Sequence, residues 1–234
     1  MPQVTWEQLR DGRALGRGRC GEVHGAILSL TDGRRLPVAL KRNTKFPGWS
    51  RALLHEAQVL QVLAGVAGVP QLYGVTQTVP HVLVMSRCPG VSVAELRRRG
   101  EVRLCLTALL HLCDILSVVH ERHVSHRDLH GGNILVSFKD TDAGVAVWLV
   151  DFGEAVMCAG GEALKADAAQ VKMLARDTLR DAWLNSGRDI FKRRNKALTS
   201  LTTHSLSLRQ ISSLIRTVLR GAHSGIGTEQ SITM

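Results

Sequence analysis

The residues best suited to chemistry lie in two short stretches of the chain, "HRDLHGGN" and "DFG". Asp128 in the first stretch is followed five residues later by Asn133, and Asp151 opens the second. A carboxylate such as Asp128 can orient an attacking hydroxyl group and accept its proton. Asn133 and Asp151 carry oxygen atoms, the ligands that Mg²⁺ prefers. The first pattern would occur by chance in roughly one of ten thousand such chains, so it strongly indicates magnesium-dependent chemistry on a hydroxyl group.

A lysine and a glutamate form the second candidate pair. "VALK" places Lys41 at the end of a predicted strand, and Glu56 follows fifteen residues later on a predicted helix. A lysine that holds the α and β phosphates of a nucleotide needs an anchor, which a helix glutamate supplies by ion pairing. Either residue alone is more typical of an ordinary surface charge, so the interpretation depends on the combination.

A glycine-rich stretch precedes this pair. "GRGRCGEV" fits the pattern G-x-G-x-x-G-x-V with Gly16, Gly18, Gly21 and Val23. In a chain with 22 glycines this spacing arises by chance with an expectation of roughly 0.2, so a plain glycine-rich hairpin is an alternative. The stretch lies between predicted strands and does not open a helix. That context disfavours a dinucleotide fingerprint and favours a loop that covers nucleotide phosphates.

The chain changes character from strands to helices along its length. The first third alternates short strand-like runs with turns around one helical stretch, "SRALLHEAQVLQVL". After "CPG" the apolar residues recur at helical spacing in Val93–Arg99, Val102–His120, Glu162–Leu184 and Leu206–Arg220. We expect Asn185, Ser186 and Gly187 to end the third of these helices and Gly221 to cap the fourth. The order predicts an α+β fold with two lobes, a small antiparallel β-sheet lobe joined near "MSRCPG" to a mainly helical lobe.

Composition restricts the class of protein. The 234 residues are 44% hydrophobic and can bury a substantial core. The five cysteines are odd in number and contain no C-x-x-C pair, which disfavours a disulfide framework or structural zinc and predicts an intracellular protein, cytoplasmic or nuclear. The apolar run "VRLCLTALLHLCDILSVVH" is interrupted by His111 and Asp114, so we expect a buried helix and no membrane contact.

The net charge of +10 is concentrated in "RRR" (residues 97–99) and "FKRRNK" (residues 191–196). Such runs are most often solvated helix faces, although "FKRRNK" could also serve as a targeting signal or a docking surface. Aromatic residues make up only 4% of the chain. Since base stacking requires them, nucleic-acid binding is not expected.

As an ordered set, "GRGRCGEV", "VALK", Glu56, "HRDLHGGN" and "DFG" resemble the protein kinase superfamily over about Leu15 to Gly153. The resemblance implies ATP and Mg²⁺ as cofactors, with Lys41 and Glu56 clamping ATP. It also implies a sheet lobe over residues 1–86, a helical lobe over 87–221 and a flexible tail over 222–234.

Further roles are implied by the same resemblance. Met85 would be the gatekeeper of the adenine site, and Ser86 to Cys88 would offer backbone groups to the base. The purine would lie between four apolar side chains: Leu15, Val23, Ala39 and Leu135. A buried spine would link the lobes through Leu60, Leu72, His126 and Phe152.

The chain departs from the family after "DFG". Only eight residues, "EAVMCAGG", precede the next predicted helix, no "APE" motif follows, and Glu154 to Ala166 contain no Ser, Thr or Tyr. We therefore expect activity without phosphorylation of this segment. Asp167 resembles the aspartate that holds the catalytic loop from beneath, although a solvated helix carboxylate is an equal alternative.

His130 is the second departure, because Ser/Thr kinases have a lysine at this position, and tyrosine kinases have an arginine where this chain has Gly132. "DLHGGN" is similar to a motif of aminoglycoside phosphotransferases. The imidazole could donate a hydrogen bond to a phosphoryl oxygen, or His130 could simply pack beneath the loop.

Three functions are open at this stage. The favoured one is a compact ATP-dependent protein kinase, Ser/Thr-directed by base rate, with protein substrates that could be acidic. The alternatives are a small-molecule phosphotransferase and a nucleotide-binding regulator without catalytic turnover.

Overall fold

The computed structural model describes residues 1–18, 21–43, 51–138, 144–185, 199–201 and 205–221. The first lobe is a six-stranded sheet in the order β1-β5-β6-β4-β3-β2. Its strands are β1 (Gln3–Val4), β2 (Leu9–Gly18), β3 (Gly21–Ser29), β4 (Arg35–Arg42), β5 (Leu72–Thr76) and β6 (Val82–Ser86). All neighbours pair antiparallel except β1, which joins β5 in parallel.

Strand β4 lies at the centre of this sheet and positions the lysine. Successive side chains of a strand point to opposite faces. Val38 and Leu40 accordingly belong to a small core on one face of the sheet. Ala39 belongs to the main core on the other face, and Lys41 lines the cleft between the lobes. The register of β4 therefore determines that this lysine faces inward.

Helix α1 (Arg51–Val62) packs against the same lobe through β5 and β6. Its predicted apolar positions Leu53, Ala57 and Leu60 are buried, and Glu56 is buried with them. The carboxylate therefore comes from the core-facing side of the helix.

The second lobe is built from α2 (Val93–Arg98), α3 (Val102–Glu121), α4 (Gly161–Asn185) and α5 (Leu208–Gly221). Helix α3 packs on both α4 and α5, and its residues Leu109, Leu112 and Leu116 are fully buried. In the described part of the chain it is the one helix long and apolar enough to cross a membrane. Its buried residues belong to the main core of the molecule.

Short strands hold the loops between the lobes. β9 (Ile134–Phe138) pairs with β10 (Val145–Leu149) and with β7 (Val91–Ser92), while β8 (Val124–Ser125) pairs with β11 (Val156–Met157). The β8–β11 pair ties the segment after "DFG" to the strand that precedes "HRDL". The sequence patterns did not predict β1, β7 and β11 because each has only two residues and forms through long-range pairing.

The last helix begins two residues later than its sequence pattern predicts. Ser207 Oγ accepts a hydrogen bond from the Gln210 backbone N–H, and Gln210 Oε1 accepts one from the Ser207 N–H. This reciprocal capping box makes Leu208 the first helical residue and leaves Leu206 outside. Gly221 is the last residue of α5 and not a cap beyond it. The expected tail (222–234), the "FKRRNK" cluster, Ser186, Gly187 and Cys20 lie outside the described residues.

Candidate active site

A cleft of about 570 Å³ lies between the two lobes. Most of the residues predicted for nucleotide binding line it: Leu15, Gly16, Val23, Ala39, Lys41, Met85, Ser86, Cys88 and Leu135. Glu56, Asn133 and Asp151 line the same cleft. Sequence reasoning thus identified the greater part of this wall.

Lys41 joins the two carboxylates at the centre of the cleft. Its Nζ lies 2.5 Å from Glu56 Oε2 and 2.6 Å from Asp151 Oδ1. The side chains of Lys41 and Glu56 are almost fully buried, whereas 46% of the Asp151 side chain is exposed. The predicted pairing of Lys41 with Glu56 is present, and Asp151 is a second partner that the sequence did not indicate.

The charges of this triad depend on one another. Burial acts to lower the pKa of Lys41, but the adjacent carboxylates outweigh it and raise the pKa above its usual value. Burial raises the pKa of Glu56, and the Lys41 ammonium opposes this only in part. Burial also acts to raise the pKa of Asp151, but the same ammonium prevails and lowers it. The cleft therefore retains a permanent ammonium beside an ionised, solvent-facing carboxylate.

Phe152 is anchored by the other oxygen of Glu56. The Phe152 backbone N–H donates to Glu56 Oε1 at 3.2 Å, and the ring is fully buried. The ring meets the His126 imidazole edge-on at a centroid distance of 4.7 Å. Leu60 and Leu72 belong to the same core cluster as Phe152. The four predicted spine residues are thus buried together, and Glu56 connects them to the lysine.

His126 also connects the two catalytic stretches. Its Nε2–H donates to the Val150 carbonyl at 3.1 Å, and its Nδ1 accepts from the Asp128 N–H at 3.3 Å. Burial lowers the pKa of His126, which favours the neutral ring that these two bonds require. The ring therefore couples the position of Asp128 to that of the strand end before Asp151.

The catalytic loop is held from beneath by α4. Asp167 is fully buried, and its two oxygens accept 2.9 Å hydrogen bonds from the backbone N–H groups of His126 and Arg127. His120 Nε2 donates to the same carboxylate at 2.9 Å. Burial acts to raise the pKa of Asp167, but these three bonds lower it. Asp167 therefore holds the catalytic loop from beneath, and the alternative of a solvated helix carboxylate is wrong.

Gln170, one turn further along α4, is a residue that sequence reasoning missed. Its Oε1 accepts from the Leu129 N–H and its Nε2 donates to the Arg127 carbonyl, each at 3.0 Å. Asp167 and Gln170 are three residues apart, so they share one face of the helix. The sequence signal that could have identified Gln170 was its position three residues after Asp167, next to the buried apolar positions of the same helix. Arg127 has a φ of 70°, a left-handed conformation that these contacts stabilise.

We expect Asp167→Asn to lower the free energy of unfolding by about 2–3 kcal/mol, because the amide has one acceptor oxygen for two buried backbone donors. Urea unfolding followed by tryptophan fluorescence measures the change. Asp177→Asn is the matched control, since Asp177 forms an ion pair with its neighbour Arg176 at a partly exposed position of the same helix. The Asp177→Asn substitution should lower the free energy of unfolding by less than about 1 kcal/mol. Equal losses in the two variants would contradict the role given to Asp167.

Asn133 lines the cleft, and Asp128 is joined to it by a hydrogen bond. The Asn133 amide Nδ2 donates to the Asp128 backbone carbonyl at 3.0 Å, which leaves Asn133 Oδ1 for a metal. The Asp128 side chain is 42% exposed and is therefore open to an incoming hydroxyl group. The chain's described residues contain no cluster of three or more His, Cys, Asp or Glu side chains suited to a metal. Two oxygen donors, Asn133 and Asp151, fit Mg²⁺ because this ion usually takes few protein ligands and completes its shell with phosphates and water.

His130 does not pack beneath the loop, and that alternative is wrong. Its side chain is 56% exposed. Nδ1 accepts a hydrogen bond from the Gly132 N–H at 3.0 Å, so in the neutral ring the proton resides on Nε2. Nε2 lies 3.7 Å from Asp128 Oδ2. The imidazole thus presents an N–H donor beside the carboxylate.

The segment after Met85 offers free backbone groups to a planar base. The main chain of Cys88 forms no hydrogen bond with the residues that the structure describes. By contrast, the Ser86 N–H donates to the Gln71 carbonyl at 2.8 Å and is occupied. Burial raises the pKa of the Cys88 thiol to about 12, so this side chain acts as a neutral part of the wall. Of the predicted segment, Cys88 is therefore the better placed to bond a purine edge.

The glycines of "GRGRCGEV" have different roles. A Cβ on Gly16 would meet no atom within 4 Å, which leaves room above the cleft. A Cβ on Gly21 would lie 2.0 Å from the Arg42 carbonyl oxygen, so this glycine permits the close approach of β3 to β4. Gly18 pairs with Gly21 and, like it, is absent from the cleft wall. The sequence predicted that Gly18 and Gly21 bind the nucleotide, but neither of them lines the cleft.

Arg13, Arg17 and Val150 also line the cleft and were missed. Arg13 and Arg17 occupy alternate positions of β2 with Leu15 between them, which was the available sequence signal. Their positive charges favour phosphate groups near the glycine-rich strand turn.

Comparison with known proteins gives one family. A family model described as "Protein kinase domain" matches residues 9–192. That range contains every residue of the cleft described above and includes the whole of α4.

Individual relatives are distant and longer. The chain is 28% identical to spermatocyte protein spe-8 of Caenorhabditis briggsae over 81% of this chain and 37% of that protein. It is 28% identical to casein kinase I homolog 3 of Schizosaccharomyces pombe over 65% of this chain and 35% of that protein. It is 29% identical to the melanoma receptor tyrosine-protein kinase of Xiphophorus maculatus over 66% of this chain and 14% of that protein. The aligned part thus covers between 14% and 37% of the length of these relatives.

Proposed function

Because this chain belongs to the protein kinase family, we propose that it transfers the γ-phosphate of ATP to a hydroxyl group of a protein, with serine and threonine as acceptors. The observation that carries the proposal is the Lys41 ammonium, held between Glu56 and Asp151 inside the cleft. Such a fixed charge can bind the phosphates without moving during the reaction.

The remaining groups divide the chemistry between them. Asp128 orients the acceptor hydroxyl and takes up its proton, since its side chain is exposed and the residue is bonded to Asn133 of the cleft wall. Asn133 and Asp151 would hold Mg²⁺, which neutralises charge on the phosphates. His130 donates from Nε2 to a phosphoryl oxygen and thereby replaces the lysine common in Ser/Thr kinases.

The acceptor class is supported by the relatives. Four of them carry the name casein kinase I homolog, and one is named a tyrosine-protein kinase. Gly132 replaces the arginine of tyrosine kinases and His130 replaces the lysine of Ser/Thr kinases, so the proposal of serine and threonine rests on the names of these relatives. The basic charge of the chain favours acidic proteins as substrates.

Radiolabelled ATP, magnesium and a mixed panel of substrates test the proposal. The panel contains basic proteins, acidic proteins and small hydroxyl compounds, and Asp128→Asn serves as the inactive control. Label on serine or threonine of a protein is the expected result. Label only on the small compounds would establish a small-molecule phosphotransferase. Thermal stabilisation by Mg-ATP with no labelled product would establish a nucleotide-binding regulator.

We expect the dephosphorylated protein to be fully active. The segment from Glu154 to Ala166 has no Ser, Thr or Tyr, and β11 within it is already paired with β8. Phosphatase-treated protein should therefore turn over as fast as untreated protein in a coupled ATPase or peptide assay. An inactive treated protein that an upstream kinase restores would contradict this expectation.

A further inference from the structure

A second groove, of about 550 Å³, lies between α3 and α5 and shares no lining residue with the nucleotide cleft. Helix α5 contributes three arginines to it, Arg209, Arg216 and Arg220. Asp114 of α3 is the single acidic residue in its wall, so the groove carries a net positive charge of about two.

The charges of the three arginines in this groove are not neutralised by ion pairs within the described residues. Among the residues that the structure describes, none of the three forms an ion pair or a side-chain hydrogen bond. Helix α5, "LRQISSLIRTVLRG", contains no Asp or Glu that could offset them. An ordinary solvated helix face carries mixed charges with partners one turn apart. A row of like charges without partners indicates an external acidic ligand.

A hydroxyl group in the groove wall strengthens the inference. Ser212 is only 7% exposed, lines the groove and has no hydrogen-bond partner in the described part of the chain. Since Ser212 lines the groove and its hydroxyl has no partner within the described residues, this group is free to bond a ligand that enters the groove. In contrast, Ser117 and Thr217 already donate to backbone carbonyls of their own helices.

We propose that the groove between α3 and α5 docks an extended, Asp- and Glu-rich segment of a protein partner. Along a helix that rises 1.5 Å per residue, Arg209 and Arg216 are separated by about 10 Å, and Arg216 and Arg220 by about 6 Å. An extended chain covers these distances in about three and about two residues. Acidic residues at such spacings can therefore meet the three guanidinium groups in turn.

A protein segment fits this groove better than a nucleic acid. No aromatic residue lines the groove, so bases have no stacking surface. Asp114 would repel a continuous row of phosphates, whereas a peptide can place an uncharged residue beside it. The inference deepens the proposed function, since docking would raise the local concentration of a substrate near the cleft.

Fluorescence anisotropy with a labelled peptide of glutamates separated by serine and glycine tests the proposal, without ATP. Arg216→Ala combined with Arg220→Ala should weaken binding by about tenfold, because two charge contacts are lost. Arg10→Ala combined with Arg35→Ala removes the same charge from exposed positions of the sheet lobe and should change binding less than about twofold. Arg209→Gln provides an independent variant at the other end of the row if the double variant is misfolded.

Three results would overturn the proposal: equal weakening by the two arginine pairs, equal binding of a peptide with Gln in place of Glu, or displacement of the peptide by an oligonucleotide at lower concentration. Asp128→Asn protein should bind the peptide like the wild type. Docking can thus succeed when catalysis fails, and a failure of the proposed function is distinguishable from a failure of this inference.

Discussion

Replacing Asp128 with asparagine will lower the rate of phosphate transfer by about 10²–10⁴-fold while leaving the affinity for Mg-ATP nearly unchanged. Asparagine has the same shape but cannot take up the hydroxyl proton. The loop should keep its structure, because Asn133 is held by the Asp128 backbone carbonyl and not by its side chain. The only ion-pair partner of the side chain in the described residues is His130, at 3.7 Å.

Single-turnover transfer from labelled ATP measures the first quantity, and a fluorescent ATP analogue measures the second. Asp177→Asn is the control, since it makes the same chemical change at the partly exposed α4 position. A parallel loss of transfer and nucleotide affinity in Asp128→Asn would mean that Asp128 has a structural role.

Replacing Lys41 with methionine will lower the free energy of unfolding by about 3–5 kcal/mol at neutral pH and abolish transfer. The reason is Glu56, whose side chain is 2% exposed and would be left without its cation. Adding Glu56→Gln to this variant should restore much of the stability and none of the activity, because the uncompensated buried charge is then absent. Urea unfolding of the two single variants and the double variant measures the coupling.

The defect of Lys41→Met should also depend on pH. Burial raises the pKa of Glu56, and loss of the ammonium removes the opposing effect. An acid whose pKa is raised in the folded state stabilises that state below its unfolded pKa of about 4.3, and this contribution is lost as pH rises through the folded value. The variant should therefore be closest to the wild type near pH 5 and furthest from it near pH 8. A pH-independent difference would contradict this account of Glu56.

The chemistry of the cleft could be predicted because it depends on residue type and spacing. Lys41, Asp128, Asn133 and Asp151 are identifiable by pattern. The structure brings Lys41, Asn133 and Asp151 to one cleft and joins Asp128 to Asn133 by a hydrogen bond. Periodicity also located the long helices, since α1, α3 and α4 each differ by only about one residue per end from the predicted ranges. These features follow from local spacing along the chain.

Features that depend on long-range contacts could not be predicted in this way. The strand pair β8–β11, the contact of Asp151 with Lys41 and the hydrogen bonds of Gln170 join residues that are far apart in the chain. The sequence left Asp167 and His130 with two interpretations each. Asp167 is buried, which identifies it as the residue that supports the loop. His130 is exposed, which excludes packing beneath the loop.

The sequence by itself determined which groups are available for phosphate transfer and the order of strands and helices, because both depend on residue identity and local periodicity. Only the tertiary structure decided which charged groups form ion pairs, which backbone groups are free, and that the three arginines of α5 line one groove with α3. Those outcomes depend on which surfaces the packing of the lobes buries or leaves open, and distance along the chain does not determine that.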